Sequence, residues 1–594
     1  MNDNEGKIIS HKIVLAILFL AVLAAYSSIL SGDFVFDDKA LIIYNPMVTQ
    51  ARLTQDIFRK SIYYYYWMGN DRLAGMYRPV QILSYRMDFK LWGLNPFGFH
   101  LTNIILHCLN VLVAYYLIIL LFKKQILAAI TAFFFAVHPV HASVVSYIAG
   151  RADLLSGFFM LLSMFFFLRF LRVRTAPYQG SGWVYYCIGV FSSLLALFSR
   201  ENALLLVLFL ILILYSQNAR PKDYLLAVPF LITALFYLAI RFSILGPNSL
   251  ILHQSAFSLS MRAVNFLNII QRYLLLLLLP LNLHLLRITP FVQTSFQIMI
   301  ALVTAILFIS GYFLTKSSDK KQVFLFGASC FLIGLIPVLF LLDSYPVLGG
   351  AMMAESWLYL SSLGFFLVFA VILFSILKRL AVATGIILIV FYGTLCFANN
   401  FYWRNDLVVF KRILQYTGAR NPLRKDLIDA YLYYGKYDEA FREIKKFSVY
   451  YSDSVDLDMM WGNYYLAQDN PGLALERYTL ALNKSLYNYY KIKENYYFFG
   501  PTQDKNKKDS SGAGHFFVYY RMSTCYRKLH DIDRAITFGI KSLEAHPYFV
   551  LNLIQMGDLY TEKGNTGEAQ KYYRLAYKIN PHNKALKGLI KNAE

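Results

Sequence analysis

The stretch LTNIILHCLNVLVAYYLIILLF, residues 101–122, runs for 22 positions without Asp, Glu, Lys or Arg. A helix of about 20 apolar residues crosses the roughly 30 Å of hydrocarbon in a bilayer, so this stretch predicts a membrane span. Similar runs recur along the first two thirds of the chain and predict an all-α, polytopic membrane domain. They are centred near residues 12–30, 126–148, 152–171, 183–198, 202–217, 224–243, 265–283, 295–315, 323–342, 356–377 and 381–399.

The composition of the 594 residues agrees with this interpretation. Hydrophobic residues make up 57% and charged residues 15%, whereas a soluble protein has about 25% charged residues. A soluble cytosolic enzyme and an intrinsically disordered chain are therefore excluded. The net charge of +22 is typical of Lys and Arg in cytoplasmic loops facing lipid head groups. We therefore expect membrane lipid, and no nucleic acid, as a partner.

The positions of the basic clusters predict the topology, because such clusters mark the cytoplasmic side. All of them are cytoplasmic if the N-terminus is inside and one later run does not cross. The run 265–283 carries Gln271 and Arg272 and is the best candidate for a re-entrant or interfacial helix. We predict eleven crossings plus this helix, which places the loop 31–98 and the tail 401–594 on the extracytoplasmic side. The clusters are at Lys123-Lys124, Arg169 to Arg174, Arg220 and Lys222, Lys316 to Lys321, and Lys378-Arg379.

Residues 1–400 are predicted as the membrane domain and residues 401–594 as a soluble domain with more charged residues. Alanines recur in the tail with steps of 34 residues, surrounded by small and aromatic residues in register, and this period resembles the tetratricopeptide repeat. About four repeats cover roughly 421–583, with an insertion near 484–514 that is predicted as a loop. Such a solenoid offers a groove for a protein partner, and the alternative is a purely structural role such as dimerisation. The alanines are Ala440, Ala474, Ala535 and Ala569.

Two adjacent carboxylates, Asp37 and Asp38, follow directly after the first span. A carboxylate near the low-dielectric boundary can have a raised pKa, which suits a general base. The alternative is a solvated turn.

Several polar residues lie at the ends of the later spans. Asn103 shares one helix face with His100 and His107, which predicts either a cavity lining or a structural hydrogen bond. His138 and His141 are three apart, but Pro139 interrupts the helix and no H-E-x-x-H pattern accompanies them. We therefore predict no metal site, although no pattern forbids a divalent metal.

The pairs Arg151 with Asp153 and Arg200 with Glu201 allow two interpretations. An Arg at the outer membrane face can bind phosphate bidentately. Alternatively, each pair is an ion pair that joins helices, and we favour this second interpretation. Glu355 precedes a span, where it either orients a substrate or is solvated.

Taken in order, these motifs resemble the transmembrane-and-tetratricopeptide-repeat glycosyltransferases (TMTC) of the GT-C superfamily and their bacterial relatives. The resemblance covers nearly the whole chain; each motif is weak alone, and the series is specific. The motifs are Phe36-Asp37-Asp38, Tyr77-Arg78-Pro79, Leu94-Asn95-Pro96 through Asn103, His138-Pro139-Val140-His141, Gly150-Arg151-Ala152-Asp153, Arg200-Glu201, Glu355 with Leu358-Tyr359-Leu360, and the tail repeats.

The resemblance implies a GT-C-type membrane domain and an inverting transfer of a sugar from a polyprenyl-phosphate donor to a hydroxyl group. The acceptor would be Ser or Thr of an exported protein, with no cofactor established. The protein would lie in a bacterial inner membrane, or in the endoplasmic reticulum of a eukaryote. Asp37 and Asp38 would be catalytic. Donor phosphate and lipid would be bound by Arg78, His138, His141, Arg151 and Arg200, and substrate would be oriented by Asn103, Asp153, Glu201 and Glu355.

The chain departs from the family pattern at two positions. Ser143 stands where a Glu usually follows the second His, and Ser356 stands where an Arg often follows the late Glu. The transferred sugar therefore need not be mannose. Two alternatives stay open: transfer to a lipid or envelope glycan, and a non-catalytic membrane scaffold that displays the repeats.

Overall fold

A computed structural model of the chain describes residues 10–50, 53–65, 76–174, 182–246, 259–290, 309–313, 315, 317–338, 350–417, 421–491, 515–579 and 584–591. The predicted run 295–315 lies largely outside these residues. The other predicted runs coincide with helices or with pairs of short helices. In chain order, the α-helices of the first part are α1 (His11–Tyr26), α2 (Pro46–Thr49), α3 (Thr54–Arg59), α4 (Pro79–Trp92), α5 (Pro96–Phe122), α6 (Gln125–Val137), α7 (Ala142–Val145), α8 (Arg151–Arg174), α9 (Trp183–Ser199), α10 (Leu206–Ser216), α11 (Val228–Leu245), α12 (Leu259–Leu278), α13 (Ser318–Leu335), α14 (Leu358–Ile376) and α15 (Ala381–Asn400).

Helix α5 shows how local sequence sets a boundary. Asn95 caps its first turn by accepting a hydrogen bond from the backbone of Phe97 (3.2 Å), and Pro96 occupies the first helical position, where its missing N–H is no loss. The helix then runs without a break to Phe122 and ends at Lys123, which is left-handed with φ 55°.

Six helical segments of the described part of the chain are long and apolar enough to cross a membrane. A bent pair, broken by 48° at His138 before Pro139, brings the number to seven, and shorter apolar helices accompany them. The chain is thus a multi-pass membrane protein, while the number of eleven crossings stays a prediction. The six segments are His11–Ser31, Pro96–Phe122, Ile148–Arg174, Pro221–Leu245, Glu355–Ile376 and Lys378–Trp403.

A short antiparallel ribbon interrupts the helices and was not predicted. Strand β1 (Arg287–Pro290) pairs with β2 (Gly350–Met353), with Arg287 opposite Met353. Four-residue strands carry too weak a periodicity to be recognised within an apolar chain.

The loop after the first span is folded as a compact unit. Helices α2, α3 and α4 pack around a small apolar core that includes Ile42, Ile82 and Tyr85. The guanidinium of Arg86 on α4 donates to the backbone oxygens of Met47 (2.8 Å) and Gln50 (2.7 Å).

The tail forms antiparallel helix pairs, as the 34-residue period predicts. A Cβ on Gly462 would lie 2.5 Å from the Tyr478 ring, and one on Gly557 would lie 2.4 Å from Tyr573. Glycine is therefore required where the tyrosine of the second helix packs against the first. The helices are α16 (Asp406–Thr417), α17 (Arg424–Tyr433), α18 (Tyr437–Ser448), α19 (Val455–Ala467), α20 (Pro471–Lys491), α21 (Phe516–Lys528), α22 (Ile532–Ala545), α23 (Val550–Glu562), α24 (Thr566–Ile579) and α25 (Lys584–Lys591).

The predicted insertion near 484–514 begins later than the sequence indicates. Helix α20 continues to Lys491, because residues 484–491 remain compatible with a helix despite their polarity. The rest of the insertion, 492–514, lies outside the described residues.

The loop after the first span and the tail lie at the same end of the membrane domain. Asp33 donates its backbone N–H to the oxygen of Arg404 (2.9 Å). Farther along the tail, the ring of Tyr548 packs edge-on against Tyr65 with 5.7 Å between centroids. The loop and the tail are therefore in direct contact with each other.

Candidate functional site

The two adjacent carboxylates after α1 have different environments. Asp38 is fully buried, and its side chain accepts the backbone N–H groups of Val35 (3.0 Å) and Ala149 (2.7 Å). Asp37 is only half-buried, and its contacts come from two tyrosine hydroxyls, of Tyr147 and Tyr63. Asp38 thus joins two loops through its carboxylate, whereas the carboxylate of Asp37 is held by tyrosine hydroxyls.

The electrostatic setting of Asp37 suits proton transfer. Burial raises the pKa of Asp37 to about 6, although hydrogen bonds to Tyr147 and Tyr63 act in the opposite direction. A base with a pKa near the working pH combines a deprotonated ground state with useful basicity. Asp37 therefore has the properties that the sequence predicts for a general base.

Two arginines from distant segments meet on one carboxylate next to this site. Arg78 donates to Glu201 through Nη2 (2.8 Å) and Nε (3.1 Å), and Arg241 donates to the other oxygen of Glu201 (2.8 Å). Tyr63, which contacts Asp37, is also within electrostatic reach of Arg78. Asp37 and Arg78 therefore both lie near Tyr63.

A third arginine completes this cluster. Arg200 forms an ion pair with Asp153 on α8. With Arg78, Arg241 and Glu201, the cluster contains three guanidinium groups and two carboxylates. Its positive excess fits an anionic ligand such as a phosphate group.

The pairs predicted within each motif are wrong. Arg151 pairs with Asp88 and not with Asp153, and Arg200 pairs with Asp153 and not with Glu201. Residues one or two positions apart do not face each other on a helix, so each arginine reaches a partner on another segment. The interpretation of these arginines as groups that join helices nevertheless describes their contacts.

A small cleft with a mixed polar and apolar lining opens beside Asp153. Its walls come from helices α8, α10, α13 and α14 and from the segments before α10 and α14. Polar groups of Asp153 and Asn202 lie in its lining together with apolar side chains. The apolar side chains are Met160, Leu205, Phe209, Trp357 and Leu360.

Arg151 lies in a closed layer. It is fully buried, and it donates to Asn103 Oδ1 (2.7 Å), to the oxygen of Phe99 (2.7 Å) and to Asp88. Asn103 in turn donates to the backbone oxygen of Tyr147 (3.2 Å). Each guanidinium nitrogen thus has a partner within the protein, which favours a structural role for Arg151 and Asn103.

Three of the histidines named in the sequence analysis are also buried, and their ring nitrogens contact other parts of the protein. His138 contacts the oxygen of Leu277 (3.1 Å), and His141 contacts Ser362 (2.9 Å). His107 contacts the Tyr359 hydroxyl (2.8 Å). All three rings are fully buried, so this geometry favours hydrogen bonds between segments over contact with a ligand. Among the described residues, no group of three His, Cys, Asp or Glu side chains could hold a metal ion.

Glu355 faces a second cluster on the far side of α16. It is buried, accepts the backbone N–H of His284 (2.9 Å), and forms an ion pair with Arg287 of β1 (3.1 Å). Arg287 therefore supplies a guanidinium next to Glu355. The family pattern often has an Arg directly after this Glu, and this chain has Ser356 there.

Five residues of these clusters were not predicted from the sequence: Tyr63, Asp88, Tyr147, Arg241 and Arg287. Arg241 had a usable signal, because a charged residue inside the apolar run 224–243 is costly and needs a partner. Tyr147 has no such signal among 46 tyrosines.

Comparisons with known proteins agree with the resemblance of the motifs. Residues 552–583 match the tetratricopeptide repeat family. The chain is 40% identical to human Protein O-mannosyl-transferase TMTC1 over 161 residues, which are 26% of this chain and 18% of that protein. It is 26% identical to a Caenorhabditis elegans Protein O-mannosyl-transferase over 420 residues, 67% of this chain and 56% of that protein. The predicted resemblance is confirmed.

These matches have a limited extent. The matched segment spans only about a fifth of the length of TMTC1 from human, mouse and Drosophila. Among solved structures, ArnT from Cupriavidus metallidurans, bound to undecaprenyl phosphate, is 12% identical, with 82% of each chain covered and a TM-score of 0.38.

Proposed function

We propose that the protein is a membrane glycosyltransferase that moves a sugar from a polyprenyl-phosphate donor to a Ser or Thr hydroxyl of an exported protein. The observation that carries this proposal is the placement of the half-buried Asp37 beside Tyr63 and the Arg78–Glu201–Arg241 cluster. The similarity to protein O-mannosyltransferases supports mannose as the first sugar to test.

In the proposed reaction, Asp37 acts as the general base. The acceptor hydroxyl loses its proton to the Asp37 carboxylate while its oxygen attacks the anomeric carbon. The bond from that carbon to the phosphate oxygen breaks, and the sugar is transferred with inversion. The Tyr147 and Tyr63 hydroxyls orient the carboxylate. This assignment uses Asp37 alone, because both oxygens of Asp38 already accept backbone N–H groups.

The donor phosphate leaves with negative charge and needs positive partners. Arg78, Arg200 and Arg241 can supply them, because they outnumber the carboxylates of Asp153 and Glu201. Arg151, His138 and His141 are left out of this role because their polar atoms bind other parts of the protein.

The solenoid would bind the acceptor protein on the extracytoplasmic side. Its support is the contact between the tail and the loop that carries Asp37. A groove so placed can hold an extended chain while one hydroxyl reaches the base.

The test uses the full-length protein in lipid nanodiscs, radiolabelled polyprenyl-phosphate mannose, and a mixture of Ser/Thr-containing peptides and exported proteins. We expect label in protein with the wild type, and a fall of about 10²- to 10⁴-fold with Asp37→Asn, the usual contribution of a general base. Asp33→Asn is the matched control, because Asp33 is an exposed carboxylate on the same loop.

Other outcomes separate the alternatives. Label in lipid or glycan, with none in protein, would contradict the protein acceptor and favour an envelope glycan. An Asp37→Asn protein with wild-type activity would refute the catalytic assignment. Absence of transfer from polyprenyl-phosphate mannose and from other polyprenyl-phosphate hexoses would favour the scaffold hypothesis.

A further inference from the structure

The first turn of the tail contacts the loop that carries Asp37. Asp406, the first residue of α16, accepts the backbone N–H of Phe36 (2.9 Å), and its other oxygen forms an ion pair with Lys39. One carboxylate therefore holds the residue before Asp37 and the residue two positions after it. Both contacts join the first turn of α16 to the loop after the first span.

Phe36 needs such support. Its φ is 50°, in the left-handed region that residues other than glycine rarely adopt, so its surroundings must hold it there. The ring of Phe36 packs edge-on against Phe410 of α16, with 5.8 Å between centroids. The backbone turn that orients Asp37 is therefore stabilised by the tail through a hydrogen bond and an aromatic contact.

The tail also supports the tyrosine that contacts Asp37. Trp403, just before α16, stacks on Tyr147 at 5.1 Å with 25° between the ring planes. The Tyr147 hydroxyl accepts the backbone N–H of Asp37 (3.3 Å) and hydrogen-bonds its carboxylate. Backbone and side chain of Asp37 thus both depend on residues 403–410.

The opposite side of α16 is fixed to the membrane domain. Arg412 donates to the backbone oxygen of Leu283 (3.1 Å), and the Tyr416 hydroxyl donates to Asn282 (3.1 Å). Helix α16 therefore lies between two segments of the membrane domain, and its contacts are those of a structural part of that domain.

We propose that Asp406 is a positioning residue for Asp37, and that residues 401–417 belong to the active site although they follow the last span. This inference rests on the proposed function of Asp37. The part of the chain that forms the active site therefore ends after Thr417 and not at residue 400. Removal of residues 401–594 would therefore abolish transfer whatever the acceptor is.

The test compares Asp406→Asn and Asp406→Ala in the full-length protein with Asp469→Asn as a matched control. Asp469 forms an exposed ion pair with Lys528 (2.5 Å) within the solenoid. The first measurement is hydrogen exchange of the peptide covering residues 33–39. We expect faster exchange in Asp406→Ala, and wild-type exchange in Asp469→Asn.

The second measurement is the steady-state kinetics of transfer with polyprenyl-phosphate mannose. A displacement of about 1 Å at a reacting group can cost 10²-fold, so kcat should fall about ten- to hundredfold in Asp406→Ala at unchanged KM for donor and acceptor. Asp406→Asn should be less affected, because its side-chain oxygen can still accept the Phe36 N–H.

Each outcome decides one part of the proposal. Unchanged exchange in Asp406→Ala, or a wild-type kcat in a variant with faster exchange, refutes the positioning role while Asp37→Asn can still be inactive. A loss of kcat that Asp469→Asn shares would also refute it. If Asp37→Asn itself is fully active, the proposed base fails, and the role of Asp406 fails with it.

Discussion

Two polar clusters lie near the same end of the membrane domain and are built differently. In the buried layer, Arg151 is fully enclosed and each of its nitrogens binds Asp88, Asn103 or Phe99. In the open cluster, Arg78 and Arg241 share Glu201, and the neighbouring Asp37 remains half-buried.

The two clusters show how a functional site can be recognised among the charged residues of a membrane protein. A charged residue in a membrane segment suggests function. However, a charged residue whose polar atoms all bind other parts of the protein is equally well explained by a role in holding the helices together. Asp37, Arg78 and Glu201 are instead only partly buried. Around them, three guanidinium groups outnumber two carboxylates. Partial exposure and an excess of positive charge therefore separate the candidate site from the structural layer.

The strongest test of this comparison is Arg151→Met. It leaves Asp88 buried beside a thioether, and breaking a buried ion pair costs about 3–5 kcal/mol. We expect little folded protein after detergent extraction, measured by size-exclusion chromatography and thermal unfolding. Arg78→Gln is the matched variant of the open cluster, and we expect it to fold normally because Arg241 still binds Glu201. A stable Arg151→Met protein that has lost only donor binding would reverse the two assignments.

The apolar runs and the 34-residue period were sufficient to predict the helices and the repeats, because burial in lipid and helix–helix packing both leave strong periodic patterns. The partners of individual charges could not be predicted. Arg200 lies next to Glu201 in the sequence but pairs with Asp153, 47 positions away. Such pairs depend on which helices become neighbours in space.

The candidate site was predicted in outline. Asp37, Arg78 and Arg200 were selected from motifs, whereas Asp406 lies in a segment assigned to the tail, with no motif to connect it to the loop of Asp37. Asp37 and Asp38 could not be distinguished from sequence, because the difference arises from Val35 and Ala149, whose N–H groups bind only Asp38.

The second prediction concerns Arg241→Ala, which removes one of the two guanidinium groups on Glu201. A hydrogen bond to a charged group contributes about 1.5–3 kcal/mol, so we expect the KM for the polyprenyl-phosphate donor to rise by about one to two orders of magnitude, measured at fixed acceptor. Arg220→Gln is the control, because Arg220 pairs with Asp223 three positions away (3.1 Å). An unchanged donor KM would exclude Arg241 from the phosphate site.

The third prediction separates the adjacent carboxylates by stability. Asp38→Asn replaces an acceptor of two backbone N–H groups by an amide with one acceptor oxygen, and an unsatisfied buried donor costs about 1–3 kcal/mol. We expect a lower Tm for this variant. Asp37→Asn should keep or slightly raise the Tm at pH 7.5, because burial raises the pKa of Asp37 and so disfavours its charged form in the folded protein. Equal losses in both variants would contradict the distinction.

The smallest expected effect is a shift in the pH profile. If Asp37 is the base, the active form is deprotonated, so kcat/KM should rise with pH through a pKa of about 6. The hydrogen bond from Tyr147 lowers the pKa of Asp37 against the effect of burial, so Tyr147→Phe should move this acidic limb to higher pH. Profiles of kcat/KM between pH 5 and 8, with Asp33→Asn as the control, measure the shift. If Tyr147→Phe lowers activity equally at every pH, Tyr147 supports the loop without tuning the base.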